Sequence, residues 1–259
     1  MSDSKRPFIL VSNDDGIFSP GIKALADVAA EFGDVYIVAP DKEQSAVGHS
    51  ITIQVPLRAS KFTVADKYEG EAVNGTPADC VKLAHGQLLD RKPDLVVSGI
   101  NHGSNAGINI MYSGTVSAAT EGTILGYPSI AVSCTEFSED ANLRGCQEAA
   151  RRVIGFVLKN GLPRGITLNV NAPAGEFTGI KWTRQADSRY VEEYESRTDP
   201  FNRAYYWLTG KFELLDEGKD SDIHVLNDGK ASVTPIQYDL TAYNLLENVD
   251  DESLNEQND

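Results

Sequence analysis

At 259 residues, with 41% hydrophobic and 24% charged side chains, the chain can bury a sizeable core and still be one α/β domain. No apolar run approaches the roughly 18 residues of a membrane span, so a membrane partner is not expected. Net charge is −15, and the residues from Asp216 onward hold 12 acids against 2 lysines with no basic stripe anywhere, which sets aside a nucleic-acid polymer as partner.

The polar start, MSDSKRP, is followed by an apolar run of only about five residues, too short for a secretory signal, so a cytoplasmic protein is expected. That run, FILVS at 8–12, reads as a strand. Ile22, Leu25, Ala26, Ala29 and Ala30 then share one helical face. VYIVA at 35–39 is a second buried strand, SITIQVPL at 50–57 a third, and 77–89 a helix with Pro77 at its start. DLVVSGI at 94–100 is the next strand, 113–125 a helix, SIAVS at 129–133 a strand, 139–159 a longer helix and ITLNVN at 166–171 a strand. Strands alternating with helices predict βαβ units around a mostly parallel sheet.

After about Thr183 the texture turns aromatic, charged and turn-rich, which predicts projecting β-hairpins; exposed strands such as YYWL at 205–208 suit a partner subunit. Residues 230–246 read as a returning strand and a short helix. The segment 248–259, NVDDESLNEQND, has the composition of a solvated, disordered tail. The expected organisation is one domain over 1–247, with its core at about 7–183 and the hairpin and C-terminal arm at about 184–247. Cys80, Cys134 and Cys146 are odd in number and widely spaced without C-x-x-C, which fits buried thiols better than disulfides or zinc ligands.

In a parallel sheet the ligand site lies at the carboxyl ends of the strands, so the loops there carry the chemistry. SNDDG (12–16), APDKEQSAVGHS (39–50), SGINHGSNAG (98–107) and YSGTVSAAT (112–120) offer Asp14, Asp15, Ser45, Asn101 and Asn105 as oxygen donors. Such donors suit Mg²⁺, Mn²⁺ or Ca²⁺ rather than zinc. Asp14 and Asp15 admit two readings: a tight Asp-Asp-Gly turn, or the edge of a metal site, since adjacent carboxylates far from a helix N-terminus call for a cation. Ser113, Gly114 and Thr115 open a helix, either as an ordinary cap or as a phosphate cradle of free N–H groups. There is no G-x-G-x-x-G after the first strand and no G-x-x-x-x-G-K-[ST], which counts against a dinucleotide-dependent oxidoreductase.

Taken together, ILVSNDDGIFSPGI, VAPDKEQSAVGHSIT, VNGTPADCVKLA, DLVVSGINHGSNAG and YSGTVSAATEG resemble the motifs of the SurE (survival protein E) family of metal-dependent nucleotidases. The resemblance continues through YYWLTG and SVTPIQYDLTAY, to about Leu246. It implies a Rossmann-like α/β core, hydrolysis of nucleoside 5′- and 3′-monophosphates with some action on short polyphosphate, and dimers or tetramers joined through C-terminal segments. It also implies one divalent cation per subunit on Asp14, Asp15, Ser45 and Asn101, with Asp14 and Asp15 catalytic, and phosphate contacts from Asn105, Ser113, Gly114 and Thr115. Ala46 stands where the family often has glycine. The alternative is a nucleotide-binding regulatory module without turnover.

Both direct attack by Asp14 and activation of a water are open chemistries for the carboxylates, with water activation preferred. His102, beside Asn101, is a candidate general acid, though a solvated loop histidine is the commoner case; His49 reads as an organiser of its loop. Tyr205, Tyr206 and Trp207 suit an interface better than a base-stacking role.

Overall fold

The alternating apolar runs meet, in the computed structural model, as a nine-stranded sheet with helices on both faces; residues 6–138 and 140–249 are described. In chain order the elements are β1 (Phe8–Ser12), α1 (Pro20–Ala29), β2 (Asp34–Pro40), β3 (Ala59–Val64), β4 (Tyr68–Val73), α2 (Pro77–Leu83), β5 (Leu95–Asn101) and α3 (Gly114–Ile124). They continue with β6 (Ser129–Cys134), α4 (Arg144–Asn160), β7 (Ile166–Ala172), β8 (Ile180–Trp182), β9 (Ser188–Val191) and β10 (Tyr194–Thr198). The last are β11 (Ala204–Leu208), β12 (Lys211–Leu214), α5 (Asp222–Asn227), β13 (Ala231–Gln237) and α6 (Tyr243–Leu246).

The sheet order is β3-β4-β2-β1-β5-β6-β7-β13-β8. From β4 to β7 all neighbours run parallel. β3 and β13 pair antiparallel at the two sides, and β8 runs parallel to β13. The central strands are unbroken apolar runs because helices cover both their faces. In β1, Ile9 and Val11 pack with Ile22 and Leu25 of α1 and Ile154 of α4, while Leu10 points the other way, onto Cys80 and Val81 of α2 and Ala118 of α3. All three cysteines are buried free thiols.

The sequence expectation fails at 50–57, which forms no strand. Ile51, Ile53 and Val55 are exposed, and the backbone N–H of Thr52 instead donates to the Asp79 carboxylate, 3.0 Å away. The sheet position beside β4 goes to β3, joined to it by a short turn in which Ala65 and Asp66 both take positive φ, a hairpin closure that costs little chain entropy. The expected helix at 77–89 is regular only to Leu83 and finishes in wider π-type turns, Ala84–Leu88. The helix expected from 139 begins at Arg144, because Asn142 accepts from the N–H of Arg144 through its side chain and from Gly175 through its carbonyl, holding 140–143 outside the helix. β3, β4, β8 and α5 are additional to the sequence reading.

The aromatic region forms two antiparallel pairs separate from the main sheet, β9 with β12 and β10 with β11. Among the described residues no helix is long and apolar enough to cross a membrane. The tail expectation falls, from residue 250 on, outside the described residues.

Candidate active site

β1 is followed in sequence by β2 on one side, while β5 lies on its other side, so the sheet changes winding direction between β1 and β5. The loops leaving such a switch diverge and open a crevice at the strands' carboxyl ends. A cavity of about 590 Å³ lies there, lined among others by Asp14, Asp15, Ser45, Asn101, Asn105 and Ser113.

The first loop is folded by Asn13, whose amide donates to the Gly16 carbonyl (3.0 Å) and the Ser19 hydroxyl (2.8 Å). Gly16 takes φ +96°, a conformation that glycine adopts freely. Ser19 caps α1 and Pro20 starts it, so the turn ends promptly and leaves Asp14 and Asp15 at the cavity.

Asp14 is buried, and its Oδ1 accepts a hydrogen bond from the hydroxyl of Thr115 at the start of α3. The sequence reading had the paired carboxylates far from any helix N-terminus. Tertiary structure corrects this by bringing the beginning of α3 to Asp14 from 101 residues away. Gly114 is what permits the approach: a Cβ there would lie 2.7 Å from the Asp14 Cβ and 2.9 Å from its Oδ2. Burial pushes the Asp14 carboxyl above the usual carboxylate range, against the opposing pull of the Thr115 hydroxyl and backbone N–H. Ser113 caps α3, accepting from the N–H of Val116 at 3.0 Å.

Asn101 closes β5 after a register shift between Ser98 and Asn101. Its amide nitrogen donates to the carbonyls of His102 (3.1 Å) and Gly103 (2.7 Å), which fixes the side chain and leaves its oxygen as the atom available to a ligand. Asn105 is buried and pinned from two neighbouring strands. Its N–H donates to Asn171 Oδ1 (2.7 Å), its side-chain amide to Ser133 Oγ (2.8 Å), and its carbonyl accepts from Asn169 (2.7 Å). His102 Nδ1 lies 3.5 Å from Asp15 Oδ2, which places this histidine at the site.

Ser45 is the most loosely placed of the expected residues. It lines the cavity but is exposed, and its hydroxyl donates to Glu43. Its loop is nonetheless fastened: Gln44 N–H donates to the Asp14 carbonyl (2.8 Å), Gly48 N–H to the Tyr112 carbonyl (3.0 Å), and His49 bonds the buried Glu121 of α3 (2.8 Å). His49 thus organises the loop, as the sequence reading expects. Ala46 takes φ +55°, the left-handed conformation that a glycine would hold without strain.

The residues present fit a hard divalent cation. Two carboxylates, an amide oxygen and a hydroxyl border one cavity, hard donors that suit such an ion, while among the described residues no group of three His, Cys, Asp or Glu is gathered closely enough to hold an ion by those side chains alone. Asp41 and Glu43 also line the cavity, so an incoming anion meets mostly negative charge until a cation offsets it. Among the described residues His102 Nε2, which belongs to the cavity lining, and Ser12 Oγ and Asn13 Oδ1 at the end of β1 are buried without a protein hydrogen-bond partner, as are Ser98 Oγ in β5, Asn169 Oδ1 in β7 and Ser232 Oγ in β13. An orphaned polar atom at the cavity wall marks a place that takes up water or a ligand.

Sequence reasoning missed the supports of this site. Asn169 and Asn171 sit two apart on β7, both fully buried, and the signal was available as three polar residues, with Thr167, on one face of a strand whose other face is apolar. It also missed Glu121, a buried carboxylate held by His49 and, at 2.8 Å, by Lys82. Asp222, whose carboxylate accepts from the N–H groups of Gly107 and Ala186 and so ties the loop before α3 to the segment leading into β9, gave no sequence signal.

Residues 9–192 match the family model described as survival protein SurE. The chain is 49% identical to the 5′-nucleotidase SurE of Christiangramia forsetii, covering 98% of this chain and 100% of that one, and 48% identical to that of Flavobacterium johnsoniae with the same coverage. Its fold is similar to the crystal structure of the SurE protein from Aquifex aeolicus, with a TM-score of 0.82 at 39% identity over 96% of this chain and 100% of that one.

Proposed function

This chain belongs to the SurE family, and from that premise we propose that it is a metal-dependent phosphomonoesterase acting on nucleoside 5′- and 3′-monophosphates, with short polyphosphate as a side substrate. The observation that carries the reading is the meeting of Asp14 with the start of α3: a carboxylate suited to a cation and a helix N-terminus suited to a phosphate share one hydrogen bond. Asp14, Asp15, Ser45 and Asn101 would hold one divalent cation, Mg²⁺ or Mn²⁺, with Ca²⁺ also able to bind. When bound, that cation supplies positive charge against the phosphate oxygens.

The chain's own groups do the positioning. The Gly114 N–H at the start of α3 and the Ser113 hydroxyl are set toward the phosphate, and Asn105, pinned by β6 and β7, holds another oxygen in a fixed direction. With Oδ1 engaged by Thr115, Asp14 serves as a ligand through its other oxygen, and the attacking oxygen comes from water. The subunits join as a homodimer or homotetramer through the C-terminal segments, where Tyr194, Tyr206, Trp207 and Leu208 are exposed on β10 and β11.

A phosphate-release panel tests the reading: 5′-AMP, 3′-AMP, ribose 5-phosphate and polyphosphate, each with Mg²⁺, Mn²⁺, Ca²⁺ or chelator. Release from the nucleotides with Mg²⁺ or Mn²⁺ and none with chelator is expected. Nucleotide binding without release under every condition would identify a regulatory module instead.

A further inference from the structure

The cavity has a polarity gradient. Its inner side chains, Asp14, Asn105 and Ser113, are buried and polar, while its outer ones include exposed aromatic rings. Four of these rings border it; two are engaged by neighbouring groups and a third adjoins the cap of α3. Phe18 meets Phe62 edge-on at 5.3 Å. Tyr190 meets Phe212 at 5.6 Å and donates its hydroxyl to Asn109 at 2.9 Å. Tyr112 is also exposed, at 54%, and is carried by the residue adjoining the Ser113 cap, next to the proposed phosphate position.

Phe137 differs from all three. It comes from the loop after β6, is 80% exposed, and among the described residues has no aromatic partner within stacking distance. It is nevertheless set in place. Its ring lies over Gly103, where a Cβ would come within 2.3 Å of Cε1, and the two loops are locked together by a hydrogen bond from Gly103 N–H to the Glu136 carbonyl at 3.0 Å. Gly103 has φ +94° and no side chain, so both the turn and the seat for the ring depend on glycine. An exposed ring backed by main chain at the mouth of a polar pocket is a preformed stacking surface.

We propose that Phe137 is the platform on which the substrate's base stacks, so that the aromatic rim selects nucleotides over other phosphomonoesters. The proposal rests on the nucleotidase reading of the cavity. Stacking on a π-face tolerates different bases, so Phe137 discriminates the presence of a base rather than its identity.

The test compares the Phe137→Ala and Phe137→Tyr variants with the wild-type protein on AMP and on ribose 5-phosphate, which carries the same ester without a base. Phe137→Ala is expected to raise the KM for AMP roughly tenfold, as loss of one base–aromatic stack does, with kcat and the KM for ribose 5-phosphate unchanged and Phe137→Tyr restoring the AMP value. An equal rise on both substrates, or no rise on AMP, overturns the proposal. Calorimetric binding of adenosine, which has no phosphate to release, separates this from the nucleotidase reading. If AMP is not hydrolysed at all, the nucleotidase reading fails. In that case adenosine binding that is weakened by Phe137→Ala still supports the platform, and adenosine binding that is absent or indifferent to the variant overturns it.

Discussion

Asp14, Asn105 and Thr115 at the inner end of the cavity are buried and bound by side chains or backbone from β6, β7 and α3, whereas the hairpin strands β9 to β12 carry ion pairs such as Arg189–Glu213 and Arg197–Glu195 out in solvent. Both regions are rich in polar contacts, but the contacts differ in what replaces them when broken. In the interior a lost partner leaves a desolvated group unsatisfied; at the surface, water takes its place. A site built at the inner end is therefore sensitive to single atoms, while the hairpins tolerate change one residue at a time and owe their shape to backbone pairing.

The sharpest test of this contrast is Asp14→Asn. Phosphate release at saturating Mn²⁺ should fall by on the order of 10³-fold, a loss typical of removing one preorganised electrostatic group, while circular dichroism shows the fold retained. Near-wild-type turnover would break both the contrast and the site assignment.

Next in size is Asn171→Ala, which leaves the buried N–H of Asn105 without its acceptor. Urea unfolding should show a loss of about 1–3 kcal/mol, with turnover falling as well because Asn105 loses its orientation. A loss of stability with full activity would mean that Asn105 does not touch substrate.

A pH-dependent effect comes third. Burial alone would raise the Glu121 carboxyl, but hydrogen bonds from His49 and Lys82 outweigh burial and hold it below the usual range. A depressed folded-state pKa contributes stability that is present above the unfolded value, about 4.3, and is lost as pH falls through the folded value. Denaturant unfolding from pH 6 downward should therefore show a steeper loss for the wild-type protein than for Glu121→Gln, and parallel curves would remove Glu121 from the account. The smallest effect belongs to the hairpins. Arg197→Ala removes an exposed ion pair and should leave the melting temperature unchanged within error; a clear drop would show that this surface is covered in the assembled protein.

The parallel core was legible because each of its strands is a short apolar run bounded by turn residues, as in FILVS, VYIVA and SIAVS. The candidate residues that meet at the cavity were legible as loops of carboxylates, asparagines and glycines after those strands. The strand expected at 50–57 was not to be had from local pattern: the place beside β4 goes to its hairpin neighbour β3, and 50–57 is held instead by Asp79 and Thr76. The supports of the site, Asn169, Asn171 and Glu121, were hidden for a related reason: a buried polar residue is explained by its partner, and these partners lie 64, 66 and 72 residues away.

The sequence alone determined the alternation of strands and helices in the parallel core and the oxygen-rich chemistry of the loops. Only the tertiary structure decided that Asp14 meets the first turn of α3, that Phe137 settles on Gly103, and that Asn105 is pinned between two strands. Hydrophobic periodicity is a property of neighbours along the chain. The meeting of loops depends on which strands lie side by side, and in a parallel sheet those are joined by crossovers that no local pattern records.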